Sequence, residues 1–426
     1  MDLADRAEAV LFANHTGRWT RPSAKQYPHQ WNWDSGFISI GWSLIDWSRA
    51  ELEIQSMLEA QWVEGMLPSV HFDRQHLHDY FPGPDRWPRA QQHVRRPGEL
   101  TSGISNPPML PIAARLVGER NRDAQERRAF WQRVLAPLVE SLRYFRTDRR
   151  LPGSPLVTVV HPWETGWDNS PRWDLLHAAG LRPKRPYERL DTRAVPPAQR
   201  PSSRDYDGYV ALAEILDDAD YRLPAYRART PFLVHDVVFD ALTYRAMGEL
   251  DHIAADLGLP APFPAAELTE FQWAFEEYHW NERHRTYYDY DCVGKKQIET
   301  PSAAALAALG GHLVEDLERV TGILEEHVRR SGHALPIPTV PSDAPTFDPV
   351  LYWRGPVWVN VNWLAVDGLL HLGLEGAAEA IREQTLDRLD AAGLAEYFNP
   401  LTGAACGAPE FSWSAALALD FLANRP

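Results

Sequence analysis

With 426 residues, 44% of them hydrophobic and 24% charged, the chain has the make-up of a globular protein with a large core, which excludes disorder as its main content. A net charge of −15 supplies no Lys/Arg stripe to replace counterions on a phosphate backbone, so nucleic acid is excluded as a partner. Cys292 and Cys406 are the only cysteines, the first residues are acidic where a signal peptide needs basic ones, and no run of about 18 apolar residues occurs, so the expectation is a cytoplasmic protein with neither disulfide framework nor membrane span.

In chain order, residues 4 to 14 carry a helical period through Ala7, Val10 and Leu11. Tyr27 to Phe37 follows, with Trp31, Trp33 and Asp34 just ahead of an apolar series through Ile38, Ile40 and Trp42, and Asp34 or Ser35 is expected to cap that helix. A helix over about 50 to 63 leads into a long excursion near 65 to 100 containing Tyr80, a length at which loops are commonly functional. Thr101 to Pro108, with Asn106, precedes a short helix, and 123 to 147 forms a long amphipathic one interrupted by Pro137.

Next comes the densest stretch, His161 to Asp174, where Glu164, Asp168 and Asp174 alternate with Trp163, Trp167 and Trp173, and Arg172 stands among them. A second excursion, near 182 to 206, is rich in Pro and Arg. Helical periods resume at 232 to 257, 264 to 280, 301 to 309 and 312 to 330, with an aromatic and acidic knot at Trp280 to Asp291. Tyr352, Trp353, Gly355 and Trp358 then precede a helix whose first turn Pro356 suits, and a helix from 374 to 392 leads to Glu396, Glu410 and a final helix from Phe411 to Leu422.

The recurrence of aromatics with acids at helix entrances suits a sugar. Indole faces stack on the C–H faces of pyranose rings, acids and arginine bond hydroxyls, and one carboxyl can pass a proton to a leaving oxygen. Each cluster taken alone is equally a core-packed loop; repetition favours a binding wall. Twelve to fourteen helical segments without an alternating strand predict an all-α protein, and six hairpins closed into a ring would gather the motif-bearing loops about one cavity. Neither a His-Glu-x-x-His nor a paired-cysteine spacing is present, nor a glycine-rich nucleotide loop, so no metal and no cofactor is expected.

Tyr27 to Phe37, His161 to Asp174, Tyr352 to Trp363 and Glu396 to Trp413 resemble glycoside hydrolase family 63, in particular its bacterial branch of mannosylglycerate and glucosylglycerate hydrolases, and are more distantly similar to family 37 trehalases. The resemblance implies a single (α/α)6 barrel domain over residues 1 to 426 and inverting hydrolysis of a small α-glycoside. It puts the general acid on Asp168 and the general base on Glu396. Tyr27, Trp31, Trp33, Asp34, Trp163, Trp353 and Trp358 would hold the sugar, and Arg204 matches a family arginine across a shifted register. Tyr80, Tyr352, Gly355 and Glu410 complete the candidate substrate-binding set. Asn106 stands where that branch carries a glutamine in its glycerate-binding loop, which leaves the aglycone open.

Within the motifs, Glu164 competes with Asp168 for the acid role and Glu410 with Glu396 for the base, while Arg172 has Glu164 or Asp174 as a possible ion-pair partner. Two other functions share these residues: a sugar epimerase or isomerase using His29, His71 or His161, and a sugar-binding protein without turnover. The oligomeric state, a homo-oligomer included, is open.

Overall fold

Helical periodicity resolves into two kinds of helix, and their difference builds the architecture. In the computed structural model, which describes residues 1–423, α1 (Leu3–Asn14), α3 (Trp47–Leu58), α5 (Ala124–Asp148), α7 (Ala265–His279), α9 (Leu317–Arg330) and α11 (Glu375–Ala392) bury one stripe each. On α9 that stripe is only Val320, Ile323 and His327. Alternating with them, α2 (Asn32–Ile45), α4 (Met109–Arg120), α6 (Val237–Leu257), α8 (Ala304–Ala307, prolonged by a 3-10 turn to Gly311), α10 (Val359–His371) and α12 (Ser412–Ala423) are far more completely covered. Every residue of α2 from Asn32 to Trp42 is buried, as is every residue of α12 from Ser412 to Phe421. A helix apolar on all sides has to be surrounded, and a one-striped helix has to lie outside it.

The contacts close accordingly. Each even-numbered helix packs on the next, from α2 through α4, α6, α8, α10 and α12 back to α2, and the odd-numbered helices lie outside this ring, making an (α/α)6 barrel. Small residues let the inner helices touch: a Cβ on Gly41 would lie 2.4 Å from Ala416 Cα, and one on Gly368 2.4 Å from the Leu309 backbone. Strands among the described residues are two or three residues long and tie loops together, as where Gln30–Trp31 pairs with Val70–His71 and Tyr397–Phe398 with Ala405–Cys406. The aromatic knot expected near 280 to 291 is such a set of short hairpins, built on Trp280–Asn281 with Thr286–Tyr287 and on Asp289–Asp291 with Lys296–Ile298. No helix of the described residues is long and apolar enough to cross a membrane.

Two helix starts differ from expectation. Asp34 and Ser35 are not caps, because α2 already begins at Asn32; Ser35 instead donates to the buried Glu53 carboxylate. Pro356 lies upstream of α10, which begins at Val359. Pro137 is accommodated inside α5.

Candidate active site

The starts of α2 and α12 and the segments that feed α4 and α10 come together to line one cavity. The start of α2 contributes Trp31, Trp33 and Asp34, the extended segment before α4 Asn106, the segment before α10 Tyr352 and Trp353, and the start of α12 Phe411 and Trp413. Both long excursions form part of its wall, one with Tyr80 and the other with Arg200. They also touch each other, Phe81 stacking on Tyr187 with centroids 5.2 Å apart.

Asp168 and Glu396 both line this cavity. Glu396 is 1% exposed; its Oε1 accepts from Tyr27 Oη at 2.8 Å and its Oε2 from the Ala408 N–H at 2.8 Å. The backbone passes so close that a Cβ on Gly407 would meet Oε2 at 2.4 Å, and the left-handed φ of +71° there also requires glycine. Burial raises the Glu396 carboxyl above the ordinary range, opposed by Arg200 and by the donated hydrogen bonds. Asp168 sits on a turn set by Gly166, whose φ is +74° and whose missing Cβ leaves room for the Trp33 indole. Tyr209 Oη holds the Asp168 carbonyl at 2.8 Å. Burial pushes the Asp168 carboxyl up to about 7, against Arg200 and with the help of Glu396. Asp34 is driven well above its usual value, first by burial and then by Glu396 and other nearby acids. Three carboxyls of one cavity are therefore raised by burial, and of these Glu396 already accepts hydrogen bonds on both oxygens.

The cation among these acids is Arg200, not Arg204. Arg200 Nη1 donates to Tyr27 Oη at 2.7 Å and lies 3.7 Å from Glu396 Oε1, its Nε donates to Asp191 at 3.2 Å, and its guanidinium lies 4.2 Å from the Tyr352 ring centroid. Arg204 is exposed in the first turn of the Ser203–Asp218 helix and donates to the His177 carbonyl. Arg204 stands four positions further along the chain, outside the cavity wall that Arg200 helps to form.

Other candidates also fall outside the cavity. Trp358 is buried behind Trp353, the two rings parallel with centroids 3.7 Å apart. Gly355 is required for packing, since a Cβ would lie 2.4 Å from the Asp348 carbonyl. Glu410 is exposed with φ +51°, and its carbonyl accepts from the Asn14 side chain at 2.9 Å. Glu164 is a structural acid that accepts from the N–H and Oγ of Ser105, the Val160 N–H and Arg149. Arg172 pairs with Asp236 and Asp289, while Asp174 pairs with Arg354. None of His29, His71 and His161 lines the cavity: His161 bonds the Tyr209 carbonyl, His71 pairs with Glu99, and His29 accepts from the Asp73 N–H.

Tyr27, Trp31, Trp33, Asp34, Tyr80, Asn106, Trp163, Tyr352 and Trp353 do line it. Asn106 Oδ1 is buried without a protein partner, as are the Nε1 atoms of Trp353 and Trp413, which leaves an acceptor and two donors for a polar ligand. Sequence reasoning missed Arg200, Tyr206, Phe411 and Trp413 as wall residues. Phe411 and Trp413 repeat the signal that marked Trp31 and Trp33, aromatics at an inner-helix start; Arg200 had no local signal. Among the described residues no group of three histidine, cysteine, aspartate or glutamate side chains is placed to hold a metal ion.

The mannosylglycerate hydrolase MGH1-like glycoside hydrolase domain matches residues 27–414. The chain is 35% identical to a mannosylglycerate hydrolase of Thermus thermophilus over 418 residues, covering 97% of this chain and 99% of that protein. It is 35% identical to glucosylglycerate hydrolase of Mycolicibacterium hassiacum over 450 residues, covering 99% and 97%. The crystal structure of a family 63 mannosylglycerate hydrolase from Thermus thermophilus in complex with Tris and D-glycerate matches with a TM-score of 0.92 at 34% identity, over 99% of this chain and 100% of that one. Neutral trehalase from Saccharomyces cerevisiae, at 14% identity and a TM-score of 0.64 over 96% of this chain and 74% of that one, shares the fold alone.

Proposed function

The chain belongs to the mannosylglycerate hydrolase MGH1-like glycoside hydrolase family, and from that premise we propose that this glycoside hydrolase cleaves mannosylglycerate or glucosylglycerate with inversion at the anomeric carbon. The observation that carries the reading is one cavity combining a carboxyl raised to about 7, a hydrogen-bonded carboxylate and a buried guanidinium within aromatic walls.

In this reading Asp168, protonated in part near neutrality, donates its proton to the glycosidic oxygen as the bond to the anomeric carbon breaks. Glu396 takes a proton from the water that attacks the opposite face. The Tyr27 and Ala408 hydrogen bonds fix its carboxylate, and inversion requires the two carboxyl groups to stand about 6.5–9.5 Å apart so that this water fits. Trp31, Trp33 and Trp163 pack on the sugar, Asp34 bonds its hydroxyls, and Arg200 with Tyr352 meets the glycerate carboxylate. A guanidinium beside two phenols suits a planar anion and offers nothing comparable to a neutral alcohol. The whole chain acts as one catalytic domain, and the free Cys292 and Cys406 support a reducing, cytoplasmic setting.

The test is incubation with α-mannosylglycerate, α-glucosylglycerate, trehalose and simple alkyl α-glycosides, the first-formed sugar being followed by NMR. The expected result is turnover of a glycerate glycoside with the β-anomer released first. Release of the α-anomer refutes inversion, and preference for an alkyl glycoside refutes the glycerate assignment.

A further inference from the structure

The residues next to the two catalytic carboxyls, Trp167 before Asp168 and Tyr397 after Glu396, turn away from the cavity into the same stack of rings. Tyr397 lies on Trp358 with centroids 4.7 Å apart and planes 23° apart, Trp358 on Trp353 at 3.7 Å and 5°, and Trp353 on Trp167 at 5.1 Å and 15°. Both ends are anchored. The Arg172 guanidinium lies 4.8 Å from the Trp167 centroid and is held by Asp236 and Asp289, each 2.9 Å from Nη1. At the other end Tyr397 Oη donates to the Gln199 carbonyl at 2.7 Å, one residue from Arg200. Of the four rings only Trp353 reaches the cavity wall. Close-packed rings resist both shortening and stretching, because either change forfeits dispersion contacts or forces overlap.

We propose that this four-ring stack sets the separation of the acid-bearing and base-bearing segments, which makes Trp358 a positioning residue for the hydrolysis. The inference rests on Asp168 as acid and Glu396 as base. It gives a physical reason for a buried indole at a position behind the cavity wall. Without the central ring, segments 167–168 and 396–397 lose their common spacer, and the gap that admits the attacking water changes width. A displacement of about 1 Å at reacting groups costs up to about a hundredfold in rate.

The experiment compares Trp358→Leu, Trp358→Phe and, as a control, Trp131→Leu, which removes a buried indole of α5 outside the cavity wall. Asp168→Asn and Glu396→Gln are assayed alongside on the better glycerate glycoside. For Trp358→Leu, kcat is expected to fall by about thirtyfold or more with KM within about threefold, and the limbs of the kcat/KM pH profile to move relative to wild type. Trp358→Phe should recover most of the rate while still displacing a limb, so it carries the test if the leucine variant does not fold. The control should lower Tm and leave both limbs in place. The inference is overturned if the Trp358 variants lose stability as the control does yet keep wild-type limbs and kcat per folded enzyme. Retained activity in Asp168→Asn and Glu396→Gln overturns the acid and base assignment itself, and the inference with it.

Discussion

Two buried, acid-rich regions lie side by side in this protein; burial raises carboxyls in both, Asp236 to about 6 among them, and they differ in how their charges are paired. Behind the loop that carries Asp168, Glu164 takes four donors, from Ser105 twice, Val160 and Arg149, while Asp236 and Asp289 share Arg172. In the cavity, burial raises Asp34, Asp168 and Glu396 together, and Arg200 is the one guanidinium that opposes it at both proposed catalytic groups. The same side chain is thus a structural strut where a guanidinium and several donors hold it away from the cavity, and a wall group where Asp168 and Glu396 have Arg200 as their common opposing charge. Proximity in sequence is no guide, since Glu164 and Asp168 are four residues apart.

Substitution tests the contrast, beginning where the effect is greatest. Asp168→Asn and Glu396→Gln should each lower kcat by about two to four orders of magnitude with little loss of Tm, measured by steady-state kinetics and thermal unfolding. Glu164→Gln, by contrast, should cost about 3–5 kcal/mol in denaturant unfolding, because it strands the buried Arg149 charge, while the pH limbs of the folded enzyme stay in place. Loss of catalysis from Glu164→Gln at unchanged stability would erase the distinction.

Removing the cavity's own cation sharpens it further. Arg200→Met should raise KM for a glycerate glycoside by about tenfold or more, from loss of a charge-assisted contact. It should also move both limbs of the pH profile upward, because Arg200 lowers the pKa of Asp168 and of Glu396. In the wild-type protein kcat/KM should fall as pH climbs through about 7, the acid being active only when protonated. The smallest effect is expected outside the cavity: Arg204→Ala and Glu410→Gln should leave kcat/KM within about twofold in the same assay.

Much of this was legible along the chain. Alternating helices and aromatic clusters at their entrances are local signals, written in periods of 3.6 residues and in the chemistry of tryptophan; they predicted an all-α ring of hairpins, and the motifs' resemblance to glycoside hydrolase family 63 named the (α/α)6 barrel and eleven of the residues now on the cavity wall. Gly355, Trp358 and Glu410 carried the same motif signal and fell elsewhere, because a motif says which residues are near the site and not which way each side chain turns. Arg200 stands in an excursion held by long-range contacts, such as Gln26 to the Asp191 carbonyl and Tyr397 to the Gln199 carbonyl, that no local pattern announces.

By itself, then, the amino-acid sequence determined an all-α chain of helical hairpins with aromatic and acidic clusters at the helix entrances, and it supplied rings, acids and cations of the right kinds for a glycoside. Tertiary structure alone decided which carboxyls line the cavity, which arginine enters it and which rings form its wall or stack behind it. The reason is physical: hydrophobic period is a property of neighbours in the chain, whereas desolvation and hydrogen-bond saturation depend on groups brought together from hundreds of residues apart, as Tyr27, Arg200 and Glu396 are here.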